Sequence, residues 1–242
     1  MSAPALAGRG VMQSEQEWDT RNRVLARCMS ALINEHAGED PLPGARGLDV
    51  GCQGGALTDA MEAQTGFRWT GIDPTIGQPR RSTAGLELLP ASADRLPFPD
   101  GTFNVALFAN VYEHVLPERR EASLSEIRRV LRPGGHVIGQ IPNPYFPIES
   151  HSRLPFMGWL PISAQKAYWR LSPVPWEHDF FVVTMRQLRA SAHRLGYRTV
   201  LARNFNYPPE VIPQALRPAW RVLERPMRAM PWAWQFVLQR VE

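Results

Sequence analysis

The run Leu48-Asp49-Val50-Gly51-Cys52-Gln53-Gly54-Gly55-Ala56-Leu57-Thr58 does most to limit what this 242-residue chain can fold into. Gly47–Gly51 reads as a buried strand, the glycines as a tight turn, and Ala56–Gln64 as a helix. In open α/β sheets, ligands bind outside the carboxyl ends of the strands. Glycines let backbone approach a ligand without a Cβ in the way. An acid at the strand end, Asp49, suits a ligand that carries an ammonium group or hydroxyl donors. A plain strand-to-helix turn would share these glycines, so the run alone does not fix a ligand. The G-x-G-x-x-G spacing is absent, which sets aside a nicotinamide-dependent dehydrogenase.

The rest of the chain alternates short apolar runs with helical patterns. Strands are expected at Phe67–Ile72, within Leu86–Ser92, at Phe103–Phe108 and His136–Ile141, then at Tyr197–Ala202 and Trp232–Val241. Helices are expected at Glu118–Leu131, with Arg128, Arg129 and Arg132 on a solvated face, and at Met185–Leu195 behind the N-cap Thr184. A lead-in helix should follow the capping-box pattern Ser14-Glu15-Gln16-Glu17 and end near Pro41–Gly44. Strands that alternate with helices imply crossover units and a mostly parallel sheet. Residues 142–183 interrupt the pattern with seven prolines and many aromatics. A segment that long is a lid, a binding element or disorder, and its aromatic density opposes disorder.

Further acids follow the strands. Asp73 ends the second strand, where a carboxylate can accept both hydroxyls of a ribose; before Pro74 it would also open a simple turn. Ala93-Asp94 follows the third strand. Then come Leu96-Pro97-Phe98 with Asp100-Gly101-Thr102-Phe103, Tyr112-Glu113-His114-Val115, and Arg129-Val130-Leu131-Arg132-Pro133-Gly134-Gly135. Together these motifs resemble the class I S-adenosylmethionine-dependent methyltransferases, over about Gly47–Ile141.

The resemblance implies a Rossmann-like α/β fold: a seven-stranded, mostly parallel sheet with an antiparallel last strand, helices on both faces and a helical cap. It treats residues 1–242 as one methyltransferase domain. Within it, 1–45 is a lead-in helix, 46–141 the cofactor-binding core, 142–183 a cap insertion, and 184–242 the last helix and strands with a second cap segment near 208–231. It implies S-adenosylmethionine as cofactor. Asp49, Gly51, Cys52, Gln53 and Gly55 would face its methionine portion. Asp73 with Pro74 would take the ribose, Ala93 and Asp94 the adenine edge, and Asn110 would offer a carbonyl to the ammonium. One departure stands out: Gln53 occupies the position of the family's usual middle glycine. If that position needs a positive φ, glutamine is strained there; if not, its amide is free to bond the cofactor. The same departure leaves open a catalytically silent, cofactor-binding partner subunit.

Methyl transfer needs alignment of the acceptor with the sulfonium methyl. An oxygen acceptor usually also needs a base. His114 beside Glu113, and Glu149 with His151 in Ile148-Glu149-Ser150-His151, are the catalytic candidates. Tyr145, Trp159 and His178, the last within Glu177-His178-Asp179, are candidate substrate contacts. Each loop holds a single Glu-His pair, so no metal is expected. The segment 142–161 resembles insertions in members that modify sugars, glycolipids or surface polysaccharides. The expected reaction is O-methylation of a small, sugar-bearing or lipid-bearing acceptor.

Charge is uneven. Residues 1–150 carry 14 arginines and 18 acids, a net −4, while residues 151–242 carry 13 Lys plus Arg and 5 acids, a net +8. The second part also holds six of the eight tryptophans. An anionic substrate, a membrane surface, nucleic acid, or a solvated arginine face over a Trp-rich core would each account for this. An RNA methyltransferase is disfavoured, because the arginines are scattered and no Asn/Asp-Pro-Pro-Tyr tetrapeptide occurs. Arg217, Arg221, Arg225 and Arg228, with Trp220 and Leu223 between them, suggest peripheral membrane contact, although Pro218, Pro226 and Pro231 interrupt that stretch. Two cysteines, no leader-like start and no long apolar run lead to the expectation of a cytoplasmic protein.

Overall fold

β1 (Arg46–Val50) is buried from Gly47 onward, as a strand covered on both faces must be. Gly51 (φ 82°) and Gly55 (φ 88°) turn the chain into α2 (Ala56–Gln64). The computed structural model describes residues 15–38, 44–174, 178–211, 214, 217–227 and 230–241. α1 (Glu15–Ala37) is the lead-in helix; Ser14 of the predicted capping box and residues 41–43 lie outside the described residues.

The remaining elements are β2 (Arg68–Asp73), β3 (Arg80–Arg81), β4 (Glu87–Pro90), β5 (Phe103–Ala109), α3 (Arg120–Val130) and β6 (Leu131–Pro142), followed by α4 (Ile162–Trp169), α5 (Met185–Arg194), β7 (Tyr197–Phe205), α6 (Arg217–Met227) and β8 (Ala233–Arg240). They form one sheet in the order β3-β4-β2-β1-β5-β6-β8-β7. β4, β2, β1, β5 and β6 run parallel, and β8 lies antiparallel between β6 and β7. Seven strands match the expected Rossmann-like order. The eighth, β3, is a two-residue antiparallel edge piece on β4; Arg80-Arg81 has no apolar alternation to announce it.

The strands bury alternate side chains in two cores. Ala106 and Phe108 of β5 face a core with Leu124, Ile127 and Val130 of α3 and Leu188 and Ala192 of α5. Val105 and Leu107 face the other core, with Leu25, Met29, Leu32 and Ile33 of α1 and Met61 of α2. Truncating a side chain such as Phe108 would cost about 3–5 kcal/mol. β1 pairs with β2 on one side and β5 on the other, so the chain switches sides there. The crevice at the carboxyl ends of β1 and β5 is the switch point where such sheets bind ligands.

Three local expectations are revised. Helix α3 begins later than Glu118, after a 3-10 turn at Pro117–Arg119. Its Arg129 is half-buried rather than free in solvent: it bonds Glu126, Asp100 and the carbonyls of Leu96 and Phe98, clamping the loop before β5. Pro133-Gly134-Gly135 forms a bulge inside β6 between the pairs Phe103–Leu131 and Val105–His136. The predicted cap at Thr184 is present as a full capping box with Gln187.

Part of the basic surplus serves the fold. Arg240 donates to the carbonyls of Arg128, Arg129 and Leu131 at the carboxyl end of α3, where a cation is favoured. Trp220 is buried against Phe146 and Trp232, so it is not presented on a surface as the membrane reading required. Arg228 lies outside the described residues. No described helix is long and apolar enough to cross a membrane.

Candidate active site

The glycine turn is held on β2 by backbone. The amides of Gly51 and Cys52 both donate to the carbonyl of Ile72, at 2.8 and 2.9 Å. A Cβ on Gly51 would lie 2.4 Å from Val111, so the loop after β5 rests directly on this turn. Gln53 has φ 48°, which settles the open question: the position is left-handed and the glutamine is strained there. Its side chain is exposed, and its backbone N–H donates to Asp73 Oδ2 at 3.0 Å. Cys52 is buried against Ile76 and Leu88, and burial pushes its thiol pKa up.

Asp49 is buried, and its Oδ2 accepts from Thr58 Oγ1 at 2.7 Å. Burial raises its pKa to about 7; the Thr58 bond opposes this and Asp73 adds to it. Asp73, also buried, accepts from Thr75 N at 2.8 Å, from Thr75 Oγ1 and from Gln53 N. Pro74 beside it is exposed. Ala93 is buried, and Asp94 accepts from Ser92 Oγ while Arg119 lies 3.5 Å from its other oxygen. Asn110 takes a left-handed φ of 56° just past β5. Its amide donates to the Gln140 carbonyl, and its side chain accepts from Gln140 Nε2. Gln53 and Asn110, two of the four described non-glycine residues with a positive φ, thus follow β1 and β5 at the same crevice, as strained backbone does at functional sites.

Beyond Val111 the chain delivers Glu113 and His114 into contact with the 142–183 segment. His114 Nδ1 lies 3.1 Å from the Asp179 carbonyl and 3.4 Å from Asp179 Oδ2. His151 Nδ1 lies 2.7 Å from Glu149 Oε1, and His151 Nε2 lies 3.9 Å from Glu113 Oε1. The His114 and His151 rings meet edge-on at 4.9 Å, and Phe180 stacks on His151 at 4.8 Å. Burial works against a charged His114, but Asp179 and Glu113 outweigh it and lift its pKa to about 9. Burial also opposes ionisation of Glu149, yet the His151 charge and hydrogen bonds from His151 and Ser152 hold it down at about 2. Burial raises Glu113. Glu149 organises its own loop too, accepting from the amides of His151 and Ser152.

The three predicted substrate contacts separate. Tyr145 and Trp159 pack edge-on at 5.7 Å, Trp159 Nε1 donates to the Tyr145 carbonyl, and both are exposed. His178 instead sits in the interior of the 142–183 segment, against Trp169 and Phe180, where burial lowers its pKa. Glu177 lies outside the described residues. Sequence reading singled out neither Asp179 as the partner of His114 nor Thr58 as the partner of Asp49. The Thr58 contact was findable, since a threonine on the first turn of the helix faces back to the strand end. The Asp179 contact spans 65 residues, and no local pattern signals it.

Residues 48–139 match the family described as "Methyltransferase domain". Among similar proteins, the fatty-acid O-methyltransferase of Mycolicibacterium smegmatis is 33% identical over 135 residues, covering 53% of this chain and 48% of that protein. The ubiquinone biosynthesis O-methyltransferase of a Caulobacter species is 31% identical over 157 residues, covering 56% and 61%. The chain thus spans about half the length of the curated relatives it matches. A crystal structure of an S-adenosylmethionine dependent methyltransferase from Mesorhizobium loti superimposes with a TM-score of 0.57 at 16% identity, covering 89% of this chain and 96% of that one; that likeness shows the shared fold. Residues 48–139 thus resemble a methyltransferase domain, and the fold around them is the one that crystal structure shows.

Proposed function

We propose that this chain, with its methyltransferase domain at 48–139, transfers the methyl group of S-adenosylmethionine to the oxygen of a lipophilic acceptor. The observation that carries the reading is the alignment of two sites at one sheet edge. The glycine turn with Asp49 and Asp73 lies at the ends of β1 and β2, and Val111, resting on Gly51, leads straight to the Glu113-His114-Glu149-His151 cluster.

Asp49 and the Asn110 carbonyl would hold the ammonium of the cofactor, Asp73 its ribose, and Ala93-Asp94 its adenine edge. Asp73 already accepts three hydrogen bonds from Gln53 and Thr75, and a carboxylate has about four lone-pair sites, so one site is free for a ribose hydroxyl and the second hydroxyl would have to displace a Thr75 bond. The acceptor hydroxyl meets the cluster. Its oxygen forms a bond to the methyl carbon as the carbon–sulfur bond breaks; the bonding pair stays on sulfur as a neutral thioether, and the cluster relays the hydroxyl proton to solvent. His114, His151 and Glu149 act as one unit in this step. In this reading residues 142–174 and 178–183 cover the site. Tyr145, Phe156, Trp159 and Ile162 are exposed apolar side chains of that cover, and they suit a lipid-like or sugar-lipid acceptor. The fatty-acid and ubiquinone O-methyltransferase relatives point the same way.

The test is transfer of a labelled methyl group from S-adenosylmethionine to fatty acids, polyprenylated catechols and glycolipids. His151→Ala should lower turnover by about 10²–10⁴-fold, the usual size of general acid–base assistance, with S-adenosylhomocysteine affinity unchanged. Cofactor binding with no transfer to any of these acceptors would favour the catalytically silent reading that Gln53 raised.

A further inference from the structure

We propose that Glu113, His114 and His151 hold a divalent transition-metal ion at the acceptor end of the crevice. The inference rests on the reading of this cluster as the acceptor site and names how it works.

Two loops that are distant in sequence bring the donors together. One ligand atom from each of Glu113, His114 and His151 lies within 4.8 Å of the other two. A cation at ~2.1 Å from nitrogen and carboxylate ligands needs donors ~3–4 Å apart, so binding would draw the 113–114 loop and His151 together by about an ångström. Glu113 is the second, independent observation. It is 2% exposed, and neither carboxylate oxygen accepts a hydrogen bond from another described residue. A buried carboxylate left unbonded is costly, and a cation supplies what is missing.

The histidines are already arranged as ligands. Nδ1 of His151 is held by Glu149 and Nδ1 of His114 by Asp179, which leaves the Nε2 atom of each ring for a metal. Carboxylates that orient a histidine through its other nitrogen are the common support around metal sites. Phe180 stacked on His151 fixes the ring plane. A small cavity lined by Glu113, Glu149 and Phe180 adjoins the set. Two imidazoles and one carboxylate suit zinc, iron or manganese and leave coordination positions open. An acceptor hydroxyl on an open position would release its proton to water more readily, so the histidines serve as ligands and Glu149 and Asp179 as positioning residues.

The experiment titrates the chelator-treated full chain with Zn²⁺ by calorimetry, and with Co²⁺ by visible absorption, while S-adenosylhomocysteine binding is measured separately. The expected result is one ion per chain with the absorption of nitrogen-ligated Co²⁺. Glu113→Gln and His151→Asn should each weaken Zn²⁺ binding at least 100-fold, and Glu149→Gln about 10–100-fold as a support residue, all without loss of S-adenosylhomocysteine binding. Binding of S-adenosylhomocysteine without Zn²⁺ or Co²⁺ binding would overturn the metal site and leave the proposed function standing. Zn²⁺ binding that survives both Glu113→Gln and His151→Asn would also overturn it, since the ion would then sit elsewhere. Specific Zn²⁺ binding without any S-adenosylhomocysteine binding would uphold the site and refute the methyl-transfer reading.

Discussion

Replacing Asp49 with asparagine should stabilise the ligand-free protein and weaken its grip on the cofactor. Burial lifts the Asp49 pKa from 3.8 to about 7 in the folded chain. A folded pKa above the unfolded one means that the native state holds the proton more tightly. The stabilisation from this group is therefore complete below about pH 4 and is lost as pH rises through about 7. About three pKa units at ~1.4 kcal/mol each amount to about 4 kcal/mol. Asparagine keeps an oxygen for the Thr58 hydroxyl, which donates at 2.7 Å, and carries no charge to bury. Urea unfolding of both proteins should give equal stabilities near pH 4, and a gain for Asp49→Asn that grows to about 2–4 kcal/mol by pH 8. S-adenosylhomocysteine affinity should fall at least tenfold, because the ligand's ammonium loses its buried counter-charge. A variant that is no more stable at pH 8 than the parent would refute the reasoning.

Gln53→Gly should relieve a left-handed glutamine whose side chain is exposed. Strain of ~1–2 kcal/mol set against the ~0.5–1 kcal/mol entropy cost of glycine gives a net gain near ~0.5–1 kcal/mol, readable as a raised Tm. Gly51→Ala should cost ~2–3 kcal/mol from its φ of 82° and the 2.4 Å approach to Val111, and it should abolish cofactor binding in calorimetry. Gly158→Ala would drive a Cβ to within 1.9 Å of the Pro144 carbonyl; limited proteolysis should then cut residues 142–174 faster than in the parent. Addition of S-adenosylhomocysteine should slow cleavage of that segment in the parent protein if it closes over the site.

Reading the sequence succeeded where local chemistry repeats the fold. The strand, turn and helix at 46–64 follow from Asp49, the glycines and the 3.6-residue spacing of α2, and the structure reproduces that order. The N-cap expected at Thr184 is present, and the structure adds Gln187 as the second half of a capping box within the same turn. The edge strand β3 was not visible, because two exposed arginines carry no pleat signal. Arg129 looked solvated because its partners Leu96, Phe98 and Asp100 come from another loop. The same limit applies at the site. Spacing within a single loop gave no reason to expect a metal, and only the folding of 151 and 179 back onto 113–114 assembles the cluster. His178 illustrates the converse: its motif suggested a substrate contact, and the fold turns it into the aromatic interior beside Trp169.

The central claim is that the turn at 49–55 with Asp73 holds S-adenosylmethionine, and calorimetry with S-adenosylhomocysteine tests it most directly. The account predicts one molecule bound per chain, with Asp73→Ala weakening it by about 10–100-fold, the ~1.5–3 kcal/mol of hydrogen bonds to a charged acceptor. Folded protein that binds neither S-adenosylhomocysteine nor S-adenosylmethionine at millimolar concentration would contradict it.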